Sequence, residues 1–160
     1  MSTGFNAEEI LEMACQIERN GAKYYRLAAE QVTDETAKEM LLEFAVMEDD
    51  HEKIFQIMKN NLQSNPIPAE YLTAEAMGYI RVIADKHVFP ADKDPSSDIP
   101  ANATLQELLT VALNMENVSI LFYLGLMEAM PEDWGHKNVR MIIREEMKHV
   151  ALINDKIAAL

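Results

Sequence analysis

The chain has 160 residues and a formal net charge of -13, from 14 Lys and Arg against 27 Asp and Glu. That length supports one domain with one good core, and the lack of a basic cluster matching the acidic excess argues against nucleic acid or an anionic membrane as partner. A single cysteine, Cys15, excludes an internal disulfide and a cysteine-only zinc site.

Pro and Gly are sparse and alternating β-branched runs are absent, which predicts an all-α protein. Met1 to Phe5 form a short lead-in with no basic-then-apolar leader. Asn6 reads as an N-cap with Glu9 completing a capping box, and Phe5 and Ile10 are placed for a hydrophobic staple. A first helix follows from about Ala7 to Val32. Thr33 and Asp34 restart the chain, and a second helix runs from about Glu35 to Leu62. So short a turn predicts an antiparallel hairpin.

The texture changes between Ser64 and Ala103. Five of the six prolines fall here (Pro66, Pro68, Pro90, Pro95 and Pro100), around one short helix expected from about Thr73 to His87. A connection this long needs a purpose, and running the length of a bundle supplies one. Thr104 with Glu107 makes a second capping box that opens a third long helix to about Met130. Pro131 ends it, and a fourth long helix runs from about His136 to Ile157. Two antiparallel hairpins joined by a long crossover is the topology of ferritin-like four-helix bundles. No apolar run of membrane-spanning length stands out, so a soluble, cytoplasmic protein is expected.

The chemistry sits in Glu48-Asp49-Asp50-His51 and its echo, Glu146-Met147-Lys148-His149. Three-residue spacing puts carboxylate and imidazole on one face, a turn apart. Glu18 and Tyr25 repeat in the same way as Glu116 and Tyr123. Adding 98 to positions 18, 25, 48 and 51 gives 116, 123, 146 and 149, so the chain carries one half-site twice. A lone Glu-x-x-His is a weak match in a chain with this many glutamates; four residue types repeating at one offset are not. The neighbours add a second argument. Leu11, Ala14, Gly21 and Ala28 surround Glu18 at helical spacing, and Leu41, Phe44, Phe55 and Met58 surround Glu48 and His51. Leu109, Ala112, Ser119 and Leu126 do the same for Glu116, as Val139, Ile142, Ile153 and Ile157 do for Glu146 and His149. The candidate ligands therefore lie on core-facing stripes, where glutamates belong only if something compensates them.

Four carboxylates and two imidazoles can surround two divalent cations with near charge neutrality. Oxygen and imidazole ligation without thiolate suits iron first and manganese second. Glu48 and Glu146 are the bridging candidates, since each shares a helix turn with a capping histidine; Glu18 and Glu116 are the terminal ones. Small residues nearby, Ala14, Gly21, Ala112 and Ser119, leave room for the cluster and an oxidant. Glu145, four residues before His149, is an alternative ligand to Glu146. A metal-free bundle of mutually satisfied Glu and His pairs is the competing reading, and it predicts indifference to chelators.

The order single Glu, Glu-x-x-His, single Glu, Glu-x-x-His resembles that of the ferritin-like di-iron superfamily. The run Glu18-Arg19-Asn20-Gly21-Ala22-Lys23-Tyr24-Tyr25 is similar to the first helix of rubrerythrins. The resemblance covers nearly the whole chain and implies one rubrerythrin-type domain over residues 1–160, reducing hydrogen peroxide at two iron ions. It implies an external electron donor such as a rubredoxin-like protein, because the C-terminal four-cysteine rubredoxin domain of that family is missing, and it implies a homodimer. A second Glu usual in rubrerythrins, three residues after the ligand Glu116, is replaced by Ser119. The ligand order equally resembles bacterioferritin ferroxidase centres, where dioxygen or peroxide oxidises Fe(II) for storage.

Tyr25 and Tyr123 are candidates for hydrogen bonding to the ligands or for electron transfer. Cys15 reads as a buried small residue, Glu52 as solvent-facing or a partner of the ligands, and His87 and His136 as surface residues. The eleven methionines read as core filling.

Overall fold

The computed structural model describes residues 6–86 and 94–160. The lead-in, the Phe5 staple, Pro90 and the His87 end of the crossover helix lie outside the described residues. Five α-helices and three short 3-10 turns make up the regular structure, with no strand among the described residues: α1 (Ala7–Gln31), α2 (Glu35–Asn61), α3 (Ala74–Lys86), α4 (Leu105–Glu128) and α5 (His136–Ala158).

Each long helix begins where the sequence supplies a cap or a turn. The Asn6 side chain accepts from the Glu9 amide at 2.9 Å, and the Glu9 carboxylate accepts from the Asn6 amide at 2.8 Å. Asp34 accepts from the Ala37 amide at 2.7 Å and opens α2. Thr104 and Glu107 form the second capping box, at the start of α4. Such caps satisfy backbone donors that the first helical turn leaves free. α4 stops two residues before the expected Met130, because the Ala129 amide folds back onto the carbonyls of Gly125, Leu126 and Met127. The link to α5 turns at Gly135, whose φ of 125° suits only glycine; a Cβ there would also lie 2.8 Å from Cε of Met58. His136 departs from its expected place on the surface. It is half-buried, and its Nε2 lies 3.0 Å from the Met130 carbonyl, tying the start of α5 to the end of α4.

α1 packs along α2, and α4 along α5, as two hairpins; α1 against α4 and α2 against α5 join them. The crossover helix α3 lies on α4 of its own chain. Gly125 permits this close approach, since a Cβ there would meet the Tyr79 ring at 2.7 Å, and Tyr79 donates its hydroxyl to the Leu121 carbonyl at 3.1 Å. α4 differs from the expectation in one respect. By length and apolar composition alone it could cross a membrane. Over half of its most apolar stretch is buried in the bundle, and Glu116 lies within the helix. Packing between neighbours accounts for its apolar character.

The core falls into two apolar lobes. One gathers Leu11, Ala14, Phe55, Met58, Phe122, Leu126, Trp134 and Ile142; the other gathers Tyr24, Ala28, Leu41, Phe44, Leu108, Leu109 and Ile153. The buried glutamates and histidines lie among them.

Candidate metal centre

The apolar stripes carry Glu18 on α1, Glu48 and His51 on α2, Glu116 on α4, and Glu146 and His149 on α5 into the interior, all six at 4 % exposure or less. Two overlapping groups result: Glu18, Glu48, His51 and Glu146, and Glu48, Glu116, Glu146 and His149. Within each group, one potential ligand atom per residue lies within 4.8 Å of all the others. Glu146 turns Oε1 to His51 Nδ1 and Oε2 to His149 Nδ1, both at 3.0 Å. Glu48 divides its oxygens likewise, Oε2 lying 3.8 Å from His51 Nδ1 and Oε1 3.5 Å from His149 Nδ1. Glu18 faces only the first histidine, at 3.5 Å, and Glu116 only the second, at 3.1 Å. Each hairpin thus supplies one end of the cluster, and the two shared glutamates come from α2 and α5.

The donor set fits a pair of cations. Glu18 Oε2, Glu48 Oε1, His51 Nδ1 and both Glu146 oxygens are buried without a hydrogen-bond partner. An orphaned buried polar atom costs about 1–3 kcal/mol, so five converging on one place are hard to explain except as ligands. Burial and then Glu48 push the Glu18 carboxyl well above the usual range, and burial with Glu146 and Glu48 does the same to Glu116. For Glu48 burial pushes upward too, but the closeness of Glu18, His149 and His51 outweighs it and holds the group at about 2. Burial opposes charge on both histidines. Glu146, Glu18 and Glu48 nevertheless hold His51 far above its ordinary range, and Glu116, Glu146 and Glu48 raise His149 to about 12. Protons on the terminal acids and imidazoles supply the charge balance that divalent cations would take over.

Both tyrosines reach across the bundle. Tyr25 on α1 donates to Oε1 of Glu116 on α4, and Tyr123 on α4 donates to Oε1 of Glu18 on α1. Burial, then the neighbouring glutamates, push both phenols up, so they stay protonated donors. In both pairs the residue numbers sum to 141, which fixes α1 and α4 as antiparallel. Gly21 faces Glu48, and a Cβ there would sit 3.4 Å from its Cγ, in ordinary contact; anything larger than alanine would crowd the cluster. The Ser119 hydroxyl is spent on the Met115 carbonyl of its own helix, at 3.0 Å.

Several side chains take other places. Glu145 lies outside the ring of six, its Oε2 2.6 Å from His51 Nε2. Glu52 pairs with Arg19, at 2.7 Å from Nη2. Cys15 is buried, and burial, then Glu12 and Glu52, raise its thiol to about 11, well away from a reactive thiolate. Met47, read as core filling, brings its sulfur to 3.4 Å from His149 Nε2. The 98-residue offset, applied to position 145, would have singled it out.

Comparison with known proteins agrees with this geometry. No curated protein matches the chain. The crystal structure of a candidate ferritin-like diiron-carboxylate protein from Thermotoga maritima is similar, with a TM-score of 0.74 and 26% identity, covering 99% of this chain and 98% of that one. The sequence model of the Rubrerythrin family matches residues 9–157. With nearly the whole length matched and a buried Glu and His cluster of di-metal form, the chain belongs to the rubrerythrin family.

Proposed function

We propose that this protein reduces hydrogen peroxide at a centre of two iron ions, manganese being the alternative metal. Glu18 and His51 would hold one ion and Glu116 and His149 the other, with Glu48 and Glu146 shared. The observation that carries the reading is this sharing: two glutamates each turn one oxygen toward each histidine. When bound, the iron pair supplies the two electrons that, with two protons, convert hydrogen peroxide into two waters, and an external donor such as a rubredoxin-like protein restores them.

The protein's own groups prepare the place. Tyr25 and Tyr123 hold Glu116 and Glu18 by hydrogen bonds that hinder either acid from swinging away. Phe44 stacks on His149, ring centres 4.1 Å apart, and apolar lobes flank the cluster, keeping bulk water out. Such burial favours a resident metal pair meeting a small oxidant over iron ions passing through. A cytoplasmic homodimer is the working form in this reading, and sedimentation would check the dimer.

Ser119 favours a second reading. Without a further carboxylate at that position, the ligand set also fits a ferroxidase that oxidises Fe(II) for storage or buffering. Rapid mixing separates the two. The protein is loaded anaerobically with Fe(II), freed of excess metal, and mixed with hydrogen peroxide or dioxygen. Much faster oxidation by peroxide supports the reductase. Oxidation by dioxygen at equal or greater rate, continuing as Fe(II) is added, supports the ferroxidase, and failure to retain iron rejects both.

A further inference from the structure

The offset of 98 that relates the six ligands extends one step outward, and there the two halves differ. Position 47 is Met and position 145 is Glu. Both histidines turn Nδ1 inward. The outer nitrogen of His51 lies 2.6 Å from a Glu145 oxygen, whereas that of His149 lies 3.4 Å from the Met47 sulfur. A neutral imidazole bound to metal through Nδ1 carries its hydrogen on Nε2. A carboxylate accepting that hydrogen fixes the ring and makes it a stronger ligand; a thioether is a weak acceptor and does neither. His149 is steadied instead by stacking on Phe44, which orients the ring without raising its basicity.

We infer that the two metal positions are unequal: Glu145 is a positioning residue that makes the His51 position the tighter and first filled, and Met47 leaves the His149 position weaker and the first to empty. This rests on the two-metal reading above. The test is an anaerobic Co(II) titration, followed by visible absorbance and calorimetry, on the wild type, Glu145→Gln, Met47→Glu and Met47→Gln. The wild type should fill in two steps. Glu145→Gln should weaken the first about 10- to 100-fold, the usual effect of losing such an outer partner, while the second holds. Met47→Glu should tighten the second step, and Met47→Gln should do so less. Two ions bound with equal affinity by the wild type, or both steps weakened alike by Glu145→Gln, would overturn the inequality and leave the two-metal reading intact. A wild type that binds no Co(II) would overturn both.

A separate observation concerns the outer face of α5. Lys137, Arg140, Arg144 and Lys148 are all exposed, follow one another at helical spacing, and form no ion pair among the described residues. Arg19, Lys23, Arg26, Lys53, Lys59 and Lys156, by contrast, each hold an acid. The four unpaired cations line a cleft of about 480 Å³ together with Glu132 and Glu145. On a protein of net charge -13 this is a local positive field, able to orient an acidic partner that the bulk of the surface repels. Glu145 belongs to the cleft and touches His51, so a donor seated there is one side chain from a ligand.

We propose that this cleft docks an acidic electron-donor protein, which again rests on the two-metal reading. The probe is a reduced rubredoxin of net negative charge, mixed with the ferric-loaded protein over a range of salt concentrations. Reversing Arg140→Glu with Arg144→Glu should slow reduction about ten-fold or more at low salt and flatten the salt dependence. Reversing Lys23→Glu with Lys53→Glu, an equal change in net charge elsewhere, should leave the rate within about two-fold. Equal slowing by both pairs, or no slowing by the first, would overturn the docking site. Loss of the ferric absorbance before mixing would instead mark failure of the metal reading.

Discussion

Tyr123 on α4 donates its hydroxyl to Glu18 on α1, and the other Glu18 oxygen is buried with no hydrogen-bond partner. Removing the hydroxyl with Tyr123→Phe leaves both oxygens of a buried acid unsatisfied. The expected cost is about 1–3 kcal/mol, read as a lower urea midpoint in the presence of chelator, and Tyr25→Phe should match it from the other side. An unchanged midpoint in both variants would refute this account of the tyrosines.

Shared and terminal glutamates should differ in what their loss removes. Glu48 offers an oxygen to each side of the cluster, while Glu116 serves only the His149 side. Glu48→Gln should therefore lose both ions, and Glu116→Gln should keep about one per chain, on the His51 side. Elemental analysis after desalting decides the matter, and equal metal content in the two variants would show that the roles are not divided in this way.

Stability without metal should fall as pH rises, and the stabilisation that metal adds should grow. The ordinary values are 4.5 for the glutamates and 6.5 for the histidines. Glu18, Glu116, His51 and His149 all hold protons in the fold beyond those values, so their contribution is complete below them and fades as pH rises. For His149 the fading runs from 6.5 toward about 12. Glu48 contributes above 4.5 and fades as pH falls toward about 2. In chelator, urea midpoints should therefore fall between pH 5 and pH 8. Metal displaces the protons, so the gain in midpoint on adding metal should grow over the same interval. A chelated protein more stable at pH 8 than at pH 5 would contradict the assignment.

The helices were legible because their signals are local. Asn6 with Glu9 and Thr104 with Glu107 place two helix starts, and Asp34 a third, by contacts within four residues. The buried stripe was legible because helical periodicity puts Glu48, His51, Phe55 and Met58 on one face. What depends on how helices face one another was not. Tyr25 was seen to accompany Glu18 along α1, yet its hydroxyl serves Glu116, because the antiparallel register of α1 and α4 sets that contact. Glu145 stands next to Glu146 in sequence, and sequence alone makes either a possible ligand. A step of one residue turns a helical side chain by about 100°, so Glu145 meets the outer face of His51 instead. His136 needed the geometry of the turn at Gly135 before its contact with Met130 could be seen.

Because each hairpin carries a terminal Glu, a His and one shared Glu, neither can complete a metal position alone. The ions would then act as glue across the seam between hairpins, and the continuity of the chain through residues 63–73 would matter little to the cluster itself. Lengthening a connection costs slowly, about 0.6 kcal/mol per doubling. Insertions there should be tolerated, and a chain cut there would reassemble from two fragments only in the presence of metal, turning a single-chain bundle into a metal-dependent heterodimer.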